Sequence, residues 1–272
     1  MLTYTLFPAI MLLFFGGLLA MWVTLYHKPD ELLERIADRV GWTTLALFAV
    51  WLSILTYDQR QIPILTAGQI SVFLSFLIWM DQLLVQRKMS QRMLVILPLV
   101  TVILLLLAGI AGGLHHKSAP DELHSAWSAV HIVLSMAGVA MLFGSGVYGA
   151  GSMLLRRELM SRKFGRLFSS LPSMDEMHKL RAFAIYFGWL LITISFASAV
   201  VFMFLENSGT PSFFSHLHEM VGLWGAASLL ALSERFRWLG DQKQARLTVA
   251  ISTVIFLLIT GSVLQIYFGG QS

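Results

Sequence analysis

The sequence predicts an all-α, polytopic membrane protein, because its composition is strongly apolar and its apolar residues fall into long runs. Hydrophobic residues make up 57% of the 272 positions, charged residues make up only 12%, and the mean hydropathy is +0.73. A soluble domain carries about a quarter charged residues, and an apolar run of about 20 residues spans a bilayer as a helix. We therefore expect one integral membrane domain over residues 1–272, built as a bundle of eight transmembrane helices.

Eight apolar runs separated by polar segments are the candidate spans. They cover residues 2–26, 41–57, 63–85, 93–114, 125–155, 181–205, 216–233 and 247–268. The first run has no basic residues before it and is too long for the apolar part of a signal peptide, so we expect it to be retained. The segment between the first two spans, ending at Val40, carries its apolar residues on one helical face. It predicts a short amphipathic helix at the membrane surface.

Positive charge is distributed unevenly between the two sides of this predicted bundle. Of the 19 Lys and Arg residues, all except Arg60 and Lys117 lie within or next to the connections on one side. Basic connections stay on the cytoplasmic side of a membrane. This pattern predicts both termini outside, on the periplasmic or extracellular face. The location that we expect is a bacterial cytoplasmic (inner) membrane.

Several function classes are excluded by absent residues. The chain has no cysteine, which excludes disulfides, thiol redox chemistry and a covalently attached c-type haem. Gly-rich phosphate loops and H-E-x-x-H zinc motifs are missing, and no feature predicts a nucleic-acid partner. The middle of the spans contains almost no carboxylate, since Asp81 and Glu234 lie near cytoplasmic ends, and this argues against an ion-coupled pump.

His131 is the residue on which the functional hypothesis depends. It lies about 9 Å inside the span 125–155, at a rise of about 1.5 Å per residue, where an ionisable side chain is costly and typically functional. His218 lies in the first turn of the span 216–233, at the same face of the membrane. Two imidazoles from different helices are suitable axial ligands for a b-type haem. The hypothesis is that His131 and His218 bind the iron of one haem b.

Other polar residues lie at a similar predicted depth. Gln69 and Gln265 are in the outer parts of the spans 63–85 and 247–268, and they are candidate contacts to the haem or its propionates. Small residues follow His131 on its own helix at Gly138, Ser145 and Gly149, which favours close packing of a second helix or of a planar ligand. The alternative is that both histidines are interfacial residues that bind nothing.

Three short motifs are shared with a known family. The span at 125–155 begins W-x-x-x-H-I-x-L-S-x-x-G-x-A, from Trp127 through His131 to Ala140. The cytoplasmic segment contains L-P-x-x-x-x-x-x-x-L at residues 171–180, and the last span ends Y-F-G at residues 267–269. With eight spans and outer termini, this order resembles the cytochrome c assembly protein family, which includes CcsA and HemX.

The resemblance is closer to the HemX-like branch of that family. Its haem-ligating members carry a tryptophan-rich motif before the seventh span, whereas residues 204–218 here contain no tryptophan. The resemblance therefore implies a haem-handling protein with His131 and His218 in the carried-over positions, and no haem-ligase activity. Its expected role is haem transfer, cytochrome maturation or regulation of haem synthesis, with maturation or haem-synthesis proteins as partners.

Two other functions remain open from the sequence. One is an accessory or structural membrane subunit without a cofactor. The other is a membrane redox subunit with a single haem, since the cytoplasmic half offers only His27 and His178, both in predicted loops.

Overall fold

The chain is helical throughout the part that the structure, a computed structural model, describes. The described residues are 11–12, 14–17, 19, 31–59, 67–89, 99, 101–106, 126–162, 172–206 and 211–269. No strand occurs among them, which confirms the predicted all-α class. They divide into two compact units, the first unit Met1–Lys117 and the second unit Ser118–Ser272. The predicted span 2–26 and the predicted span 93–114 lie largely outside the described residues.

The first unit is built around two helices, α1 (Glu31–Gln59) and α2 (Ala67–Met89). Their shared core is aromatic, with the rings of Phe48 and Phe76 centred 5.2 Å apart. The indole Nε1 of Trp79 donates a hydrogen bond to the carbonyl oxygen of Gly41 across the same contact, at 3.4 Å. The two helices therefore pack side by side within this unit.

Helix α1 differs from the sequence prediction. The surface helix ending at Val40 and the span 41–57 were expected as separate elements, but the structure joins them into one helix of 29 residues. No proline interrupts residues 31–59, and Gly41 at the junction costs a helix only about 1 kcal/mol relative to alanine. The hydrogen bond from Trp79 to the Gly41 carbonyl oxygen lies at this junction.

The second unit contains four helices. They are α3 (Ala126–Ser161), α4 (Met174–Glu206), α5 (Pro211–Phe236) and α6 (Asp241–Gly269). Helix α3 packs against both α4 and α6. Arg162 and Arg237, directly after α3 and α5, adopt left-handed backbone conformations with φ of 54° and 49°, as is common after the last helical residue.

The small residues of α3 allow these close helix contacts. A Cβ atom on Gly138 would lie 2.6 Å from Cγ1 of Ile192 and 3.0 Å from the carbonyl oxygen of Gly188, both on α4. A Cβ atom on Gly146 would lie 2.6 Å from that of Ser252 on α6. Of the two roles that the sequence left open for Gly138, the structure thus shows helix packing.

Helix α4 begins at Met174, earlier than the predicted start at residue 181, because a capping box fixes its first turn. The backbone N–H of Glu176 donates to Ser173 Oγ at 3.3 Å, and the carboxylate of Glu176 accepts from the backbone N–H of Ser173 at 3.0 Å. These reciprocal bonds satisfy two N–H groups that a helix start otherwise leaves without partners. The S-x-x-E sequence at residues 173–176 signals this start, but the predicted span did not take it into account.

Two described helical segments are long and apolar enough to cross a membrane. They are Val130–Ser161 in α3 and Met174–Val201 in α4, and a shorter apolar segment, Ile70–Leu83, lies in α2. By length and composition, these segments agree with the membrane class that the sequence predicts. They overlap the spans predicted at 125–155 and 181–205.

A buried ion pair joins α4 to α5. The side chains of Arg181 and Glu234 are only 2% and 3% exposed, and Arg181 Nη2 lies 3.4 Å from Glu234 Oε2. Arg181 Nη2 also donates to Nδ1 of His178 at 2.8 Å. A guanidinium group can only donate, so His178 Nδ1 is the acceptor and carries no proton. The 3.4 Å approach of His178 Nδ1 to Glu234 is therefore not a hydrogen bond.

Candidate functional site

All four helices of the second unit contribute to one cavity of about 530 Å³. Its polar lining includes His131 and Ser135 from α3, Ser195 from α4, and His218 and Glu219 from α5. Its apolar lining residues are Ile192, Phe196, Met220, Leu223, Ile255 and Leu258. The cavity therefore combines a few polar groups with an apolar wall, as small-molecule and cofactor sites do, and its size is within their usual range of about 300–1,000 Å³.

His131 is half-buried and linked to α4 by three hydrogen bonds with Ser195. Its ring atom Nδ1 lies 2.8 Å from the carbonyl oxygen of Ser195 and 2.9 Å from Ser195 Oγ. Ser195 Oγ donates its own proton to the carbonyl oxygen of His131, at 2.8 Å. The two residues thus bind each other through both side-chain and backbone atoms.

These contacts determine which nitrogen of His131 carries the proton. A carbonyl oxygen can only accept, so Nδ1 must be the donor. The single proton of the Ser195 hydroxyl is already given to His131 O, so Oγ is a second acceptor for the same Nδ1–H. In the neutral ring, Nε2 then keeps its lone pair. That atom is free to ligate a metal ion or to accept a hydrogen bond from a ligand.

His218 belongs to the same cavity but is more accessible. It is exposed and lies in the second turn of α5, next to the exposed Glu219. The sequence placed His131 and His218 at a similar depth, and the structure brings both to the lining of one cavity. Ser135, one turn after His131, also lines it, although its hydroxyl donates to Ile132 O at 2.8 Å.

The two predicted glutamines remain candidates from the sequence alone. Gln69 lies in the first turn of α2, in the first unit, and Gln265 lies near the end of α6, in the second unit. For both residues the side chain lies outside the described part of the chain, so their proposed contacts to a cofactor stay predictions.

Tryptophan contacts join α4 and α5 behind the cavity wall. The rings of Phe196 and Trp224 stack with centroids 5.8 Å apart, and Nε1 of Trp224 donates to Thr193 Oγ1 at 3.2 Å. Farther along, Trp189 Nε1 donates to Ser228 Oγ at 3.0 Å. Because both partly buried indole N–H groups are paired, these large side chains pack between α4 and α5 without an unsatisfied donor.

The hydrogen bonds of His131 are compatible with a role as a metal ligand. Among the described residues, no group of three or more His, Asp or Glu side chains is placed to hold a metal ion. A haem iron takes only one or two axial ligands from the protein, and imidazole nitrogen is among the commonest. A histidine whose second nitrogen donates to a backbone carbonyl is the usual arrangement of a metal ligand. His131 has this arrangement.

Ser195 is a polar cavity residue that the sequence prediction did not include, and Glu219 is another. Ser195 lies 64 positions after His131, and its only sequence signal is a hydroxyl residue within an apolar run. Such residues commonly hydrogen-bond between helices in membrane proteins, but their partners depend on how the helices are rotated.

Comparison of the chain with protein-family models finds no matching family, and comparison with curated proteins finds no match.

Proposed function

We propose that this chain is a non-enzymatic, haem-handling membrane protein in which His131 and His218 would hold the iron of one haem b. The observation that carries the proposal is that both imidazoles line a single cavity with an apolar wall. Bound haem would supply a redox-active iron and a visible absorbance. The residues of the chain would hold it: two imidazoles on the iron, and Ile192, Phe196 and Leu223 among the side chains beside the macrocycle.

A position in a membrane is supported by the outward apolar faces of the second unit. On α4, Phe183, Phe187, Leu190 and Ile194 repeat every three or four residues and are all exposed, as are Val254 and Leu257 on α6. Exposed apolar faces of this extent are characteristic of contact with lipid or another protein. We propose that they face the acyl chains of a bacterial cytoplasmic membrane, which the chain crosses eight times.

The turn between α5 and α6 supports the proposed orientation. Phe236 and Trp238 stack with ring centroids 5.3 Å apart and are 58% and 66% exposed. Arg235, Arg237 and Lys243 surround them and are also exposed. Aromatic residues concentrate at membrane–water interfaces, and basic residues concentrate on the cytoplasmic side. This turn would therefore lie at the cytoplasmic surface.

The orientation can be tested directly because the natural chain contains no cysteine. We expect a single cysteine at Gly240, in the α5–α6 turn, to react with a membrane-impermeant maleimide only after the cells are opened. A cysteine at Glu206, the last residue of α4, should react in intact cells. Reaction of both positions from the same side would contradict the proposed topology.

The cellular role that we propose is haem transfer, help to cytochrome maturation, or regulation of haem synthesis. It rests on the resemblance to the HemX-like branch of the cytochrome c assembly family, carried by the motif from Trp127 to Ala140. Partners from cytochrome maturation or haem synthesis would follow from that role.

Titration of purified, haem-free protein with haemin tests the proposal. We expect the wild type to bind one haem with a saturable Soret absorbance. His131→Ala should weaken binding by more than the roughly 10–100-fold that loss of an outer-shell partner costs. His178→Ala is the matched control, because His178 lies on α4 and is not among the residues that line the cavity; it should bind as the wild type does.

A second candidate function is favoured by the same hydrogen bonds. His131 and Ser195 link α3 to α4, and such a link stabilises a helix pair without any ligand. In an accessory subunit of this kind, His131→Ala would lower stability and the wild type would give no saturable haemin binding. That pair of results would replace the haem proposal with the structural one.

A further inference from the structure

We propose that Ser195 is a positioning residue that holds His131 with its proton on Nδ1, so that Nε2 is the atom presented to iron. The inference deepens the proposed haem site and rests on it. It concerns the role of a residue that makes no contact with iron itself, and it is carried by three hydrogen bonds between the two residues.

The first step is the direction of the bonds. Nδ1–H of His131 has two acceptors within 2.9 Å, the carbonyl oxygen and Oγ of Ser195. The Ser195 hydroxyl accepts here only because its proton is given to His131 O, at 2.8 Å. If the imidazole ring were rotated to bring Nε2 to Ser195 while the proton stayed on Nδ1, Nε2 would have no proton to donate to Ser195. The hydrogen bonds would then be lost unless the proton moved to Nε2.

The second step is that Ser195 is itself held in place. It is 1% exposed, and its carbonyl oxygen also accepts from Ser198 Oγ at 2.7 Å. The acceptor pair therefore lies in the packed interface between α3 and α4, about two helical turns from the Gly138–Gly188 contact. A hydrogen-bonded partner of this kind orients a ligand imidazole and raises its basicity toward the metal.

The protonation of His131 can be measured without haem. In haem-free protein labelled with ¹⁵N-histidine, the chemical shifts of His131, assigned by comparison with His131→Ala, should show a protonated Nδ1 and an unprotonated Nε2. The opposite pattern, with the proton on Nε2, would overturn the inference even if the protein binds haem. This result is independent of haem, so it separates a failure of the inference from a failure of the proposed function.

Chemical rescue tests the contact in the haem-bound protein. In His131→Gly, free imidazole can occupy the vacant ring position, ligate iron and donate its N–H to Ser195. 1-Methylimidazole can ligate iron but has no N–H to donate. The concentration of each base that restores the wild-type spectrum is compared after correction for the affinity of that base for haem in detergent alone. Imidazole should need a concentration at least about 10-fold lower than 1-methylimidazole does. Equal concentrations would overturn the inference.

A side-chain variant covers the case in which the glycine variant does not fold. Ser195→Ala removes Oγ but leaves the carbonyl oxygen, so haem affinity should fall by about 10-fold, the low end of outer-shell effects, and the midpoint potential should rise. Ser145→Ala removes an equally buried hydroxyl of α3, which bonds only to Leu142 O at 2.6 Å, and should leave both properties unchanged. Equal effects of the two substitutions would overturn the proposed role of Ser195.

Discussion

Replacing Arg181 with Ala is expected to lower the free energy of unfolding of the second unit by about 3–5 kcal/mol, because it leaves a buried carboxylate without its partner. Glu234 is 3% exposed, and Arg181 is the charged side chain next to it, with Nη2 at 3.4 Å from Oε2. Transferring a charge from water into a low-dielectric interior is unfavourable unless an opposite charge compensates it. Chemical unfolding in detergent, monitored by circular dichroism, measures the loss.

Two controls separate this effect from a general loss of side-chain packing. Arg181→Met combined with Glu234→Leu removes both charges and should recover most of the lost stability, because an apolar pair of similar size can replace a buried ion pair. Lys179→Ala removes an ion pair in which Lys179 Nζ lies 2.6 Å from Asp175 Oδ2, and the two side chains are 72% and 71% exposed. Because an exposed pair contributes little, this substitution should not measurably change the free energy of unfolding. A double variant as unstable as Arg181→Ala would contradict the charge-based explanation.

Gly138→Ala is expected to destabilise the second unit by about 1–3 kcal/mol, the usual cost of overpacking. The new methyl group would lie 3.0 Å from the backbone oxygen of Gly188, which cannot move away without shifting α4. Gly138 and Gly188 each lie seven residues, about two helical turns, from His131 and Ser195 respectively. Separation of α3 and α4 should therefore also lengthen the His131–Ser195 hydrogen bonds and weaken haem binding.

Gly225→Ala provides the matched comparison. A Cβ atom on Gly225, in the middle of α5, meets no atom within 4 Å. The substitution should be neutral or stabilising by up to about 1 kcal/mol, because alanine loses less conformational entropy than glycine in a helix. Thermal unfolding of the two variants side by side measures the difference. Equal stability of Gly138→Ala and wild type would show that α3 and α4 can separate at little cost.

The sequence predicted which segments are helical more accurately than where those helices end. An apolar run identifies the part of a helix that is suited to lipid. The helix itself can extend beyond that run, for as long as its backbone N–H and C=O groups form helical hydrogen bonds. Helix α3 extends to Ser161, past the predicted end at Leu155, through Arg156 and Arg157. Arginine is a good helix former, so the charged residues at that point do not end the helix.

The candidate site was also predictable only in part. Depth along a span can be counted in residues, and this count placed His131 and His218 at one level, in agreement with the cavity that both line. The rotation of α3 about its axis relative to α4 cannot be obtained by counting residues. It is set by the contact of Gly138 with Gly188 and Ile192, and it determines that Ser195, rather than another hydroxyl residue of α4, is the partner of His131.

The reduced-minus-oxidised absorbance spectrum of protein purified from haem-replete cells tests the central claim most directly. The wild type should show the narrow α band of a b-type haem with two histidine ligands, and His131→Ala and His218→Ala should each lose it. A wild-type spectrum without such a band, or a band that persists unchanged in His131→Ala, would contradict haem binding between these two residues.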